Sequence, residues 1–132
     1  KNYSQFHYIP KAGKKERNMG LEDFENKPKY NDLGLKERIE GGVATNPRTN
    51  VEANLTKNTH PTVKPIKLMK ALIEEFTEQG SIVFDPFMGS GTTGMAAVIL
   101  DRDFIGCELT PEYIPLAKTR IQYAKNNKEA FQ

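Results

Sequence analysis

The sequence predicts an α/β fold: part of a parallel, doubly wound sheet, preceded by an irregular segment. Three observations carry that expectation. Ile82, Val83 and Phe84 run into Asp85-Pro86 and then into glycines at 89, 91 and 94, the order of a strand, a tight loop and a helix start. Phe104 to Leu109 forms a second short apolar run. Helical periodicity fills the stretches before, between and after the two runs.

Residues 1–59 are rich in Asn, Lys, Gly and Glu and hold only scattered large apolar side chains. A short strand is expected around Tyr3 to Ile9, where Phe6 and Tyr8 share a face at period two before Pro10 ends it. Lys11, Lys14, Lys15 and Arg17 cluster around Gly13, which suits a loop or a short, poor helix. Such a cluster is either a solvated surface or a phosphate-contacting loop, since cations near phosphates position a duplex without reading its sequence. From Pro28 to Asn58 turn formers dominate (Gly34, Gly41-Gly42, Asn46-Pro47), with one amphipathic stretch from Leu35 to Ile39. That region has too little apolar surface to order itself, so it should lie over another surface.

Residues 60–132 are more regular. The prolines of His60-Pro61-Thr62-Val63-Lys64-Pro65 hold the chain extended, and Pro65 suits a first helical position. Leu68, Met69, Leu72, Ile73 and Phe76 recur at helical spacing and Gly80 is a stop, so a helix is expected over 65–79. A strand over 81–85 and the glycine loop follow. The next helix should run from Ser90 or Thr92 to Leu100, with Gly94, Ala96 and Ala97 where it crosses close to the sheet. After the polar Asp101-Arg102-Asp103 turn comes a buried strand ending near Glu108, in which Cys107 is a small buried residue. Thr110, Pro111 and Glu112 have the form of N-cap, first helical residue and first-turn acid. Ile114, Ala117, Ile121 and Ala124 then give a helix to about Asn126, with a first turn distorted by Pro115. Two strands are few for a parallel sheet, which wants both faces covered, so half a fold is expected.

The chain has 132 residues, 37% of them hydrophobic and 27% charged, so its core is modest. A net charge of +2 does not demand nucleic acid, yet is compatible with a patch that touches it. One cysteine excludes an internal disulfide, and with two histidines no zinc quartet can be assembled. We expect no metal and a reducing, cytoplasmic setting. No run of eighteen apolar residues and no basic-then-apolar leader is visible, so no membrane span is expected.

Gly89-Ser90-Gly91-Thr92-Thr93-Gly94 satisfies the dinucleotide glycine pattern, and Glu108 stands where a carboxylate bonds ribose hydroxyls. The neighbours discriminate. Asp85 would oppose a pyrophosphate but suits an ammonium group, and no Lys or Arg lies between Asp85 and Leu100. No lysine follows the last glycine as a phosphate loop requires. The loop therefore favours a phosphate-free nucleoside with a positive amine. S-adenosylmethionine, with a ribose, an ammonium and a sulfonium, fits both carboxylates.

Three motifs together sharpen this expectation: His60-Pro-Thr-Val-Lys-Pro65, Phe84-Asp-Pro-Phe-Met-Gly-Ser-Gly-Thr-Thr93 and Gly106-Cys-Glu-Leu-Thr-Pro-Glu-Tyr113. In this order and spacing, residues 60–126 resemble the C-terminal half of the β-group exocyclic-amino DNA methyltransferases, which modify adenine N(6) or cytosine N(4). The front stretch Phe6 to Leu21 also resembles the segment preceding that family's target-recognition region. The resemblance implies a Rossmann-like sheet of the methyltransferase type. It implies that Asp85 bonds the methionine amino group, with Pro86 and Phe87 beside the methionyl chain. It further implies that Gly89, Ser90, Gly91 and Thr92 shape the loop and contact the carboxylate end. Thr62, Lys64 and Pro65 would close the methionine side, Glu108 would take the ribose hydroxyls and Leu109 would pack on the adenine. Lys11, Lys14, Lys15 and Arg17 would contact double-stranded DNA.

The family's catalytic element is an Asp, Asn or Ser followed by Pro-Pro and an aromatic residue that stacks on a flipped base. This sequence has no Pro-Pro; Asn46-Pro47-Arg48-Thr49 is the nearest imitation and stands elsewhere in the family order. No catalytic residue is therefore assigned. The expected partners are DNA and a catalytic half in the same or a second chain, with self-association through the exposed sheet edge. A non-catalytic S-adenosylmethionine- or DNA-binding module remains open, as does a dinucleotide-dependent oxidoreductase fragment.

Overall fold

A computed structural model of the chain describes residues 8–28 and 55–131. Most of the expected Tyr3–Ile9 strand, the Leu35–Ile39 stretch and Asn46-Pro47 lie outside the described residues. Tyr8 and Ile9 are described and are not in a strand. The elements are α1 (Lys14–Asn18), β1 (Lys27–Pro28), β2 (Leu55–Thr56), α2 (Ile66–Phe76), β3 (Ile82–Asp85), α3 (Thr92–Ile99), β4 (Asp103–Gly106) and α4 (Tyr113–Asn126), closed by a 3-10 turn, Lys128–Phe131. β3 and β4 pair in parallel, Ile82 beside Asp103 and Asp85 beside Gly106. β1 and β2 form a two-residue antiparallel pair that the sequence did not announce, because neither run is long enough to show alternation.

α3 is the centre of the packing. Its Ala96 and Ala97 form a buried cluster with Ile73 of α2, against which Met69, Val83 and Phe104 pack. Met95 faces the other way and clusters with Ile66 and with Ala124 of α4. A Cβ on Gly94 would stand 2.7 Å from the Phe104 ring, so the missing side chain lets the helix lie directly on the sheet. A short helix that is apolar on nearly every side is one that has neighbours on nearly every side.

Among the described residues the sheet is layered on one face only. Val83 and Phe104 meet the helices, whereas Ile82, Phe84 and Ile105 point the other way and are 64%, 60% and 54% exposed. The second strand was expected to be buried; it alternates instead, because among the described residues nothing covers its outer face. Cys107, expected to be buried, is exposed for the same reason.

Three boundaries shift with a physical cause. α2 stops at Phe76 rather than residue 79, because Thr77 leaves the helix in an extended conformation and is held there by Arg102. The Arg102 guanidinium donates to the Thr77 carbonyl (2.8 Å) and hydroxyl (3.1 Å). β4 ends at Gly106, although Cys107 N still donates to the Asp85 carbonyl (2.9 Å). α4 starts at Tyr113, since Thr110 to Glu112 form a turn in which Tyr113 N donates to the Thr110 carbonyl (3.0 Å), and Glu112 rather than Thr110 is the N-cap. Pro115 falls among the first residues of α4, whose N–H groups have no intrahelical partner, so no helical hydrogen bond is lost.

The front segment is joined to this unit through α1. Asn18 Oδ1 accepts from Thr56 Oγ1 (2.8 Å), Lys57 N (3.2 Å) and Asn58 N (3.1 Å). Asn58, fully buried, returns a bond from its Nδ2 to the Arg17 carbonyl (2.8 Å). Glu16 Oε1 accepts from Ile66 N (2.6 Å) and so caps the start of α2. Removing one acceptor that serves three donors leaves buried groups unmet, at about 1–3 kcal/mol each. Asn18→Ala is therefore expected to lower the unfolding free energy by about 2–4 kcal/mol in urea denaturation, whereas a loss below about 0.5 kcal/mol would mean that water replaces the amide.

Candidate cofactor site at the glycine loop

The loop after β3 is closed by its own aspartate. Asp85 Oδ1 accepts from Phe87 N (2.9 Å), and Oδ2 accepts from Thr93 Oγ1 (2.6 Å) at the first turn of α3. The carboxylate thus ties the beginning of the loop to its end, and each oxygen keeps a further lone pair. Gly91 is the N-cap of α3 with φ of 78°. A Cβ there would meet the Ala117 backbone of α4 at 3.0 Å, so both conformation and contact require glycine. At Gly89 a Cβ would stand 2.5 Å from His60 Nε2.

Glu108 lies just beyond β4 and reaches back under the loop. Its Oε2 accepts from Gly89 N (2.9 Å) and its Oε1 from Thr110 N (2.8 Å). The Thr110 N–H above all, with Gly89 N–H and a nearby His60, holds this carboxyl below its usual range against a smaller opposing effect of burial. It is ionised at neutral pH.

On the inner side of the loop stands a residue the sequence reading passed over. Arg120 of α4 is wholly buried, and its guanidinium donates to the Ser90 carbonyl (2.7 Å), Ser90 Oγ (3.0 Å) and Thr92 Oγ1 (3.2 Å). It also donates to the Glu16 carbonyl of α1 (3.3 Å). Burial lowers its pKa to about 10, with Glu16 opposing and Arg17 adding to the shift, so it remains a cation at neutral pH. The signal was available: Arg120 falls four residues from Leu116 and Ala124, on the apolar face of α4.

A cavity of about 380 Å³ opens between the loop and α2, within the size range of small-molecule sites. Thr62, Lys64, Asp85, Phe87, Gly89, Ser90 and Thr92, all singled out from the sequence, meet at its wall. Leu68, Met69 and Leu72 of α2, with His60, Met88 and Thr93, complete it. Pro65, Pro86, Gly91, Glu108 and Leu109 do not line it. Pro65 is the N-cap of α2, and Glu108 lies one hydrogen bond away through Gly89. Leu109 and Phe87 are 96% and 87% exposed beside it. Lys11, Lys14 and Lys15 are exposed, while Arg17 turns inward and donates to the His60 carbonyl (2.8 Å). No cluster of metal-ligating side chains occurs among the described residues. A carboxylate, an ammonium, several hydroxyls and an apolar wall around one cavity suit a zwitterion attached to an apolar body.

His60 packs edge-on against Tyr113, with centroids 4.6 Å apart, and its Nδ1 accepts from Thr62 N (3.3 Å). Burial is the main cause that lowers its pKa, and Glu108 partly opposes this. A histidine whose folded pKa is depressed contributes stability above its unfolded pKa and loses it as pH falls through the folded value. Unfolding free energy is therefore expected to decline as pH drops below about 6.5, and to decline less in His60→Gln. Denaturation curves across that range check this, and equal slopes for both chains would exclude His60 as the cause.

The family model for DNA methylase matches residues 2–119. The type II methyltransferase M.XycI of Xanthomonas campestris pv. cyanopsidis is 37% identical over 100 residues, 74% of this chain and 33% of that protein. The DNA adenine methyltransferase YhdJ of Escherichia coli (strain K12) is 39% identical over 90 residues, 68% of this chain and 30% of that protein. Among solved structures, the M1.HpyAVI–SAM complex matches with a TM-score of 0.46 and 52% identity, over 47% of this chain and 30% of that one. The chain spans about a quarter to a third of the length of the curated relatives it matches. By the match that covers most of its length, the chain belongs to the DNA methylase family.

Proposed function

We propose that the cavity beside the glycine loop binds S-adenosylmethionine, and that this chain is the cofactor-binding part of a DNA methyltransferase. The methyl group would pass directly from the sulfonium to an exocyclic amino group of adenine or cytosine, helped by alignment of the reacting atoms. The observation that carries the reading is the pairing of charges at one cavity. Asp85 suits the methionine ammonium, and Lys64 and the Ser90 and Thr92 hydroxyls suit its carboxylate. Glu108, ionised and next to Gly89, suits the ribose hydroxyls, and the exposed Phe87 and Leu109 offer apolar surface to the rest of the ligand. Within this reading residues 60–132 form the cofactor half-domain and residues 1–59 border the target-recognition region. Lys11, Lys14 and Lys15 are its DNA-facing cations. A cytoplasmic setting, where DNA is, follows from the same reading.

Asp85→Asn separates the two roles of the aspartate, because the amide oxygen can still accept from Phe87 N while the charge is gone. A charge-assisted bond is worth about 1.5–3 kcal/mol, so calorimetry with S-adenosylmethionine should show Kd raised about 10- to 150-fold. Unchanged affinity would sink the ligand assignment. Labelled methyl transfer to DNA by the purified chain would in turn exclude a merely cofactor-binding module.

The bare sheet face favours a further structural partner, either the catalytic half or another chain. Ile82, Phe84 and Ile105 present a contiguous apolar strip, since Phe84 stands beside Ile105 in the sheet. Sedimentation of the isolated chain should show concentration-dependent association, and Phe84→Lys should reduce it. A monomer at all concentrations would argue against this partner surface.

A further inference from the structure

We propose that Arg120 is the positioning residue of the cofactor loop, acting by turning the Ser90 and Thr92 hydroxyl hydrogens toward the cavity as ready donors for an anionic group. The inference rests on the reading above that the cavity takes S-adenosylmethionine, and it names how the carboxylate end of that ligand is recognised.

A hydroxyl has one hydrogen to donate and two lone pairs to accept with. Arg120 Nη1, whose two hydrogens are shared with the Ser90 carbonyl (2.7 Å), stands at an acceptor position on Ser90 Oγ (3.0 Å) and on Thr92 Oγ1 (3.2 Å), and Arg120 itself does not line the cavity. Neither hydroxyl can donate back, because a guanidinium has no lone pair to offer. Ser90 and Thr92 are 3% and 4% exposed, and both lie on the cavity wall. Their hydrogens are therefore left for whatever enters the cavity. The nearby positive charge also makes each O–H a stronger donor, as chains of hydrogen bonds polarise one another.

The tether behind Arg120 fixes this geometry. The Glu16 carbonyl holds the guanidinium from the other side (3.3 Å), and all four of its hydrogen bonds within the described residues end on neutral acceptors. A cation buried without a bonded carboxylate is costly, and an apolar residue of similar size would fill the same space without that cost. Packing alone does not call for an arginine here. Orientation of two hydroxyls does.

The test compares two ligands by calorimetry on the chain and on its Arg120→Lys and Arg120→Met variants. S-adenosylmethionine carries the carboxylate, and 5′-methylthioadenosine keeps the nucleoside and sulfur but lacks the amino-acid end. Both variants should bind S-adenosylmethionine at least tenfold more weakly while 5′-methylthioadenosine affinity stays within twofold. Equal losses for the two ligands would make Arg120 a general support of the fold, and no loss for either would make it irrelevant; both outcomes overturn the proposal. If Arg120→Met fails to fold by circular dichroism, Arg120→Lys decides, and unfolding of both variants also overturns it. An unsubstituted chain that binds neither ligand refutes the assignment of the cavity itself, a result separable from any behaviour of the variants.

Discussion

Burying a guanidinium costs several kcal/mol unless its donors are met, and Arg120 bonds through both terminal nitrogens, though not through its buried Nε, to parts of the chain that are far apart in sequence. It starts on α4, bonds the glycine loop at Ser90 and Thr92, and ends on the Glu16 carbonyl of α1. The separation between Glu16 and Arg120 is 104 residues. The loop is consequently held from within the molecule as well as along its rim, where Asp85 fastens Phe87 to Thr93. Charges meet the loop on opposite sides: a buried cation beneath, a carboxylate at the entrance. Their separation lets one short loop offer both an acceptor and donors to a ligand.

Small residues make that closeness feasible. Gly94, Ala96 and Ala97 bring α3 onto the sheet, and Gly91 lets α4 approach the loop at backbone distance, which carries Arg120 within reach of Ser90. A side chain at Gly91 would press on the α4 backbone at Ala117, three residues before Arg120. Packing and site geometry are thus one problem here.

The parts of the fold that could be read from sequence were those governed by local pattern. The strand-loop-helix order around Asp85 and the amphipathic spacing of α2 follow from periodicity and glycine placement, whereas most of the residues gathered at the cavity were named by what the family resemblance implies. Helix ends were less legible, because they depend on distant groups. Thr77 stops α2 where Arg102, 25 residues on, holds it, and Glu16 rather than a local side chain caps its start. The absence of a cation between Asp85 and Leu100 was true of the sequence, yet the fold supplies one from α4. It is wholly buried, with Nη1 bonded to the loop and Nη2 to the Glu16 carbonyl, and it does not line the cavity, so it leaves the preference against phosphate in place. Burial of the second strand was overestimated since hydrophobicity reports what a surface prefers, not whether a partner is at hand.

His60 and Gly89 occupy the same space, in that a Cβ on Gly89 would lie 2.5 Å from the imidazole Nε2. The left-handed φ of 52° at Gly89 adds a second constraint, so a side chain at position 89 is strained by its own backbone as well as blocked by the ring. The two positions, 29 residues apart, therefore share one space, and truncating the ring alone would not make room for a side chain at 89 without backbone strain.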